Sequence, residues 1–328
     1  MFERAQPLLV RYWLLNAPSR RCSLQQLPRQ GVRFSLYLWR FKKFGRSSTT
    51  CPLRVIALID FDAFYAQCET VRLGLPPDQP LCVQQWNAVI ALNYAAKAAG
   101  LKRIISPDEA RLRCPEVVLQ HVATWREGDS SWAYRPDVRQ HMKTDKAVLD
   151  PYRLQSRKAF DLIKSKLTPS PIQRVEKASI DEVFLDLSAQ VHETIIWRYP
   201  DLFASVETQD DDAPLPLLPT SILDWLTDKV IAVEAEAELD PPDGDDVSIN
   251  VGSEIVRAIR REIASELKYT YSAGIARNKS LAKLAAGCNK PNQQTVVRTR
   301  ALHAFIRVQV HQDSWSRRKA RSAGCEGF

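Results

Sequence analysis

Three carboxylates stand out by their placing: Asp60, at the carboxyl end of the apolar run Val55-Ile-Ala-Leu-Ile59, and the adjacent pair Asp181 and Glu182, near the start of Ile180-Asp-Glu-Val-Phe-Leu-Asp-Leu187. Adjacent acids beside a buried strand are costly unless something positive sits on them. If the two strands are neighbours in one sheet, the three side chains converge on a small volume, and their repulsion demands divalent cations. Hard oxygen donors suit Mg²⁺, which keeps waters and takes substrate phosphates to complete its octahedron. Two such ions about 3.5 to 4 Å apart lower the pKa of an attacking hydroxyl and neutralise a leaving pyrophosphate. That chemistry is in-line phosphoryl displacement, and spacing alone leaves a nuclease, a nucleotide cyclase and a polymerase equally open.

The elements that must position these acids are legible as an α/β (α+β) pattern. A strand at 55–59 runs into a helical stretch at 64–73, followed by a strand around 81–85 and a helix over 91–99 closed by Gly100. After a polar stretch at 124–146, Pro151 starts an amphipathic helix reaching about residue 167, with Leu154, Phe160 and Ile163 among its apolar positions. A helix over 252–267, a strand over 270–275, a helix over 278–287 and a strand over 295–298 complete a β-α-β-β-α-β-like, ferredoxin-like arrangement.

The 328 residues can bury a sizeable core, and no apolar run approaches the roughly 18 to 20 residues that span a bilayer. No membrane role is therefore expected. The seven cysteines are scattered singly, which indicates neither a zinc site nor a disulfide framework. The net charge of +8 is unevenly spread, because residues 201–246 hold 14 acids against Lys229 alone and leave +21 on the remainder. A basic surface of that size favours a polyanion such as nucleic acid. The acid-poor, Arg-rich start reads as a basic, disordered leader or as a mitochondrial presequence. Residues 201–246, with Asp210-Asp-Asp212 and several prolines, read as a mobile insertion whose acids are not ligands.

Several separated motifs then become recognisable in order: Asp60-Phe-Asp-Ala-Phe-Tyr65, Asn93-Tyr-Ala-Ala-Lys97, Ala178-Ser-Ile-Asp-Glu182, Ser272-Ala-Gly-Ile-Ala-Arg-Asn-Lys279, Leu281-Ala-Lys-Leu-Ala285 and Asn289-Lys-Pro291. Together they resemble the palm and fingers of the Y-family of template-directed DNA polymerases. The contexts around Cys82-Val-Gln-Gln-Trp86 and Arg174-Val-Glu-Lys177 look most like its polymerase eta branch. The match covers about residues 53–300.

The resemblance implies translesion synthesis on primer-template DNA from deoxynucleoside triphosphates, with two Mg²⁺ ions and Mn²⁺ as a substitute. Asp60, Asp181 and Glu182 would be the catalytic metal ligands, joined by the main-chain carbonyl of Phe61, while Asp62 would not be a ligand and would support the turn or face solvent. Phe64 and Tyr65 would meet the nucleotide, Tyr65 as the steric gate against a ribose 2′-OH. Tyr94, Lys97, Arg103 and Lys279 would contact the triphosphate. Gln85, with Gln84 as its neighbouring alternative, would reach the templating base. Lys97 departs from the family's usual arginine, keeping the charge without the bidentate fork.

The resemblance divides the chain into the leader at 1–50, palm at 51–65, fingers at 66–128, palm again at 129–300 around the 201–246 insertion, and a degenerate or truncated thumb start at 301–328. Thumb and little finger are expected to be missing, because residues 308–328 have no helical or strand period and read like the wrong frame of an exon. Contacts to a sliding clamp and ubiquitin would need that missing region. Activity is expected to be impaired, the alternative being a non-catalytic short form acting as a binding competitor. The cluster Arg317-Arg-Lys-Ala-Arg321 resembles a nuclear import signal, which favours the nucleus over the mitochondrion.

Overall fold

In the computed structural model, residues 38–169, 174–204, 218–220, 223–225, 227–231, 244–302 and 305–307 are described. In chain order the elements are α1 (Leu38–Gly45), β1 (Ile56–Phe61), α2 (Phe64–Leu73), β2 (Leu81–Gln85), β3 (Ala88–Leu92), α3 (Tyr94–Ala98), α4 (Pro107–Arg113), β4 (Val118–His121), β5 (Thr124–Trp125), β6 (Lys146–Ala147), α5 (Asp150–Ser165), β7 (Arg174–Lys177), β8 (Glu182–Asp186), α6 (Ser188–Arg198), α7 (Pro200–Phe203), β9 (Lys229–Ile231), α8 (Gly244–Leu267), β10 (Tyr271–Ala276), α9 (Lys279–Cys288) and β11 (Gln294–Val297). Among the described residues, no helix is long and apolar enough to cross a membrane.

The main sheet has the order β7-β8-β1-β10-β11-β9. Its first four strands are antiparallel and follow the ferredoxin-like β-α-β-β-α-β path, which makes the fold α+β. Strand β1 is apolar at four successive positions because both of its faces are covered. Ala57, Ile59 and Phe61 join the larger core with Tyr152 and Ile163 of α5 and Ile255, Ile259 and Ile263 of α8. Ile56 and Leu58 meet Leu281, Ala282 and Ala285 of α9 on the opposite face.

Helix α9 lies unusually close to the sheet. A Cβ added to Gly274 would stand 2.0 Å from the Ala282 carbonyl oxygen and 2.3 Å from the Ala286 nitrogen. The alanine-rich inner face of α9 and the missing side chain at Gly274 are two halves of one packing solution.

A smaller sheet, β3-β2-β4, which follows α2 in the chain, forms a separate core with α3 and α4, built around Cys82, Val89, Leu92 and Ala110. Here the sequence reading of a helix over 91–99 is corrected. Residues 88–92 extend as β3, paired with β2, and the helix begins only at Tyr94. Asn93 ends the strand, its Oδ1 accepting from the Ala96 N–H at 2.9 Å and the Leu81 N–H at 3.1 Å.

Four further expectations are corrected. The strand at 295–298 does not close the ferredoxin-like core: β11 pairs parallel to β10 outside it, and the unforeseen β7 supplies the outer strand. Within the leader, residues 38–45 form α1, whose Phe41 stacks on Phe203 at 4.8 Å and lies 4.3 Å from the His192 ring. Within 201–246, Phe203 is buried, β9 pairs with β11, and α8 starts at Gly244 rather than 252. Two acids of that segment are buried in ion pairs: Asp228 with Arg257 at 2.8 Å and Asp246 with Arg298 at 2.7 Å. The presequence reading of residues 1–37, the remainder of the 201–246 insertion and the reading of 308–328 lie outside the described residues.

Two stability measurements follow from this packing. Gly274→Ala should cost about 3 kcal/mol in denaturant unfolding, because the obstructing atoms are backbone. Burial pushes His192 down to about 4 from 6.5. The unfolded chain therefore binds a proton that the folded chain refuses, and stability should fall by about 2 kcal/mol as pH drops from 6.5 to 4. His192→Phe should flatten that part of the pH profile; a slope the same as in the unaltered chain would contradict it.

Candidate active site

Strand register brings the acids together. Asp60 lies directly opposite Glu182 across the β1–β8 pair and opposite Ser272 across β1–β10. The Phe61 N–H donates to the Asp181 carbonyl at 3.0 Å, so Asp181 sits one step beyond the end of the ladder. Directly opposed residues of an antiparallel pair have Cβ atoms about 4.5 to 5.5 Å apart. Strand alternation puts Asp60 on the face of Ile56 and Leu58, and Glu182 on that of Phe184, the face covered by α9.

The three carboxylates nevertheless take different partners. Lys290 Nζ is 2.5 Å from Asp60 Oδ1, Lys283 Nζ donates to Glu182 Oε2 at 2.8 Å, and the Ser179 hydroxyl donates to Asp181 Oδ1 at 2.6 Å. Among the described residues, no three acid, cysteine or histidine side chains are gathered as a closed ligand set. Burial raises the Asp60 pKa; Asp181 and Glu182 push it further up, against the pull of Lys290. The Glu182 carboxylate raises the Lys283 pKa, keeping that ammonium charged. Two ammonium groups thus supply the positive charge that opposed acids require.

Neither Lys283 nor Lys290 was assigned a role from the sequence. The signal was present, because Lys279 and Lys283 are one helical turn apart and share a face of α9. Lys279 itself pairs with Glu176 of β7, two strands away from Asp60, with its Nζ 5.3 Å from the centre of the Phe184 ring.

The turn from β1 into α2 is strained, with Ala63 left-handed at φ 45° and ψ 48°. Asp62 holds it. This buried carboxylate accepts from the Ser272 hydroxyl at 2.8 Å, the Asn292 N–H at 2.8 Å and the Thr270 hydroxyl at 3.2 Å. Its lone pairs are committed to the protein, as a support for the turn requires.

Helix α2 then presents two aromatics differently. Phe64 is buried, 5.5 Å from the Phe61 ring and 6.4 Å from Tyr269, so its side chain is core. A nucleotide contact by Phe64 would fall to its main chain. Tyr65 is half-buried and stacks on Tyr152 at 4.4 Å and 17°. Burial raises its pKa, and the charge of Asp181 adds to the rise, while Arg103 opposes it. Tyr65 therefore sits within the field of both the acid cluster and Arg103.

Tyr94 begins α3 and is pushed up to about 12 by burial, then by Asp62 and Asp60. Lys97 Nζ lies 4.3 Å from the centre of its ring, a cation–π contact beside the acids. Lys97 and Arg103 are exposed. At the end of β2, Gln85 is half-buried, whereas Gln84 is buried with its Oε1 lacking a hydrogen-bond partner among the described residues.

This arrangement can be set beside known proteins. The model of the impB/mucB/samB family matches residues 59–287. Among curated relatives, the chain is 40% identical to N-acetyltransferase eso1 of Schizosaccharomyces pombe, over 83% of this chain and 31% of that protein. It is 32% identical to DNA polymerase eta of Saccharomyces cerevisiae, over 80% of this chain and 44% of that one. DNA polymerase iota of Homo sapiens is 30% identical, over 79% and 28% respectively. The chain thus spans less than half the length of each. The crystal structure of DinB from Sulfolobus solfataricus superposes with a TM-score of 0.46 at 22% identity, covering 76% of this chain and 50% of that one. With the family match extending from the end of β1 to the end of α9, the chain belongs to the impB/mucB/samB family, that of the Y-family DNA polymerases.

Proposed function

We propose that this chain is the palm and fingers of a template-directed translesion DNA polymerase that adds deoxynucleotides by metal-assisted phosphoryl transfer. The observation that supports this most is the β1–β8 register, which sets Asp60 opposite Glu182 with Asp181 adjoining. The donor set fits Mg²⁺ or Mn²⁺: three carboxylates on neighbouring strand ends, plus the Phe61 carbonyl, are hard oxygen ligands. Two such ions held there would activate a primer hydroxyl and neutralise the leaving pyrophosphate.

The chain's own residues do the rest. Asp60, Asp181 and Glu182 would hold the ions in place of their present partners, and Lys283 and Lys290 would then be available to phosphate oxygens. Tyr94, Lys97 and Arg103 approach the triphosphate from the fingers side. Lys279, held by Glu176, stands furthest along the row of lysines. Gln85 reaches the templating base, and Tyr65 closes the sugar side. Primer-template DNA is the partner, and the nucleus, where relatives of this kind meet their template, is the place of action.

The test is single-nucleotide extension of a primer-template in Mg²⁺. Asp181→Asn and Glu182→Gln should each lower insertion by at least about 10³-fold while leaving unfolding within about 0.5 kcal/mol of the unaltered chain. Chelation should stop extension, and added Mn²⁺ should restore it. Asp62→Ala should behave oppositely, costing about 3 kcal/mol of stability through three lost buried acceptor contacts. Undiminished insertion by both acid variants would overturn the assignment.

A further inference from the structure

Behind Tyr65 lies a buried polar network that the chemistry above does not use. Glu69 is fully buried in α2, one turn after Tyr65. Its Oε1 accepts from the Tyr152 hydroxyl at 2.7 Å and the Tyr134 hydroxyl at 2.8 Å, and its Oε2 accepts from Arg72 Nε at 2.7 Å. Arg72 also covers the Tyr134 ring, 3.8 Å from its centre. Tyr152, itself almost wholly buried, is the ring on which Tyr65 stacks.

A buried carboxylate needs donors on both oxygens, and here they come from three parts of the chain, Arg72 belonging to α2 itself. Tyr152 comes from α5. Tyr134 comes from the segment between β5 and β6, which Arg126 fastens through Asp137 at 3.1 Å and Asp145 at 2.7 Å. Burial, reinforced by the Glu69 charge, pushes the Tyr134 and Tyr152 phenols upward, so both remain donors. With its hydroxyl fixed, Tyr152 cannot slide along its own plane, and the stacked Tyr65 ring inherits that position.

We propose that Glu69 is a positioning residue for sugar selection: by anchoring Tyr152 and Tyr134 together, it fixes the Tyr65 ring that reads the incoming sugar, and so sets the preference for deoxynucleotides over ribonucleotides. The inference rests on the reading of Tyr65 as the sugar-facing group. It extends that role one layer inward, to groups that touch no substrate.

The test combines two measurements on the full chain. In tyrosine-labelled protein, Glu69→Gln and Tyr152→Phe should shift or broaden the Tyr65 ring resonances while the circular dichroism stays unchanged. In extension assays, both should raise the use of ATP relative to dATP by about tenfold, the worth of one charge-assisted hydrogen bond, with dATP kcat/KM kept within about threefold. Tyr134→Phe, which removes one donor at a half-buried position, should show the same change to a smaller degree and serves if Glu69→Gln fails to fold. Tyr65→Ala separates the two layers, with an expected rise of about a hundredfold. An unchanged ratio in Tyr65→Ala would overturn the sugar-gate reading. A raised ratio there, with Tyr65 resonances and sugar preference unmoved in Glu69→Gln and Tyr134→Phe, would overturn the positioning role alone.

Discussion

The antiparallel pairing of β1 with β8 is the constraint from which the rest of this structure follows. It places two carboxylates face to face, with a third one residue away, in a partly buried setting where like charges repel. Such a pairing persists only if cations are brought to it. In this fold they come from Lys283 and Lys290, carried by α9 and the segment just after it. For those lysines to reach, α9 must lie close against the sheet. That proximity demands an inner face of alanines and the bare backbone of Gly274. One electrostatic requirement thereby dictates the composition of a whole helix–sheet contact.

The two faces of the sheet divide the labour. The α9 face brings cations and acids together, while the α5 and α8 face supplies the deep apolar core that holds β1 in place. Between them, the left-handed Ala63 turns the chain sharply from strand to helix, and the buried Asp62 fixes that turn with three hydrogen bonds. Helix α2 therefore starts at a defined angle beside the acids. Its aromatics sort by depth: Phe64 is buried among the core rings, and the half-buried Tyr65 stacks on Tyr152. The buried Glu69 then ties the helix to α5 and to the segment around Tyr134.

Much of this was legible in the sequence, for identifiable reasons. The run at 55–59 read as a strand because no polar residue interrupts it, and the adjacency of Asp181 and Glu182 marked a second strand end. Other elements were hidden by composition. Strand β7, Arg174-Val-Glu-Lys177, is an edge strand largely exposed to solvent, so it carries no apolar period. Helix α1 was masked by its lysines and arginine, although Phe41 and Phe44 are four-fifths of a turn apart and both buried. Residues 91–92 continue the apolar run of β3, and the alanines at 91, 95, 96, 98 and 99 favoured one helix running across Asn93. Strand β9 follows an acid-rich stretch, and its short Lys229-Val-Ile231 is fixed only by pairing with β11. Tertiary pairing, which no local pattern encodes, decided each of these. The roles of Lys283 and Lys290 needed the helix to be laid on the sheet before their carboxylate partners could be named.

The most direct measurement is a crystal structure of this chain with primer-template DNA, an unreactive deoxynucleotide analogue and Mn²⁺, read by anomalous scattering. Manganese peaks held by oxygens of Asp60, Asp181 and Glu182, with Lys283 and Lys290 released from the acids, are the expected result. Manganese bound elsewhere while Lys290 stays on Asp60 and Lys283 on Glu182 would contradict it.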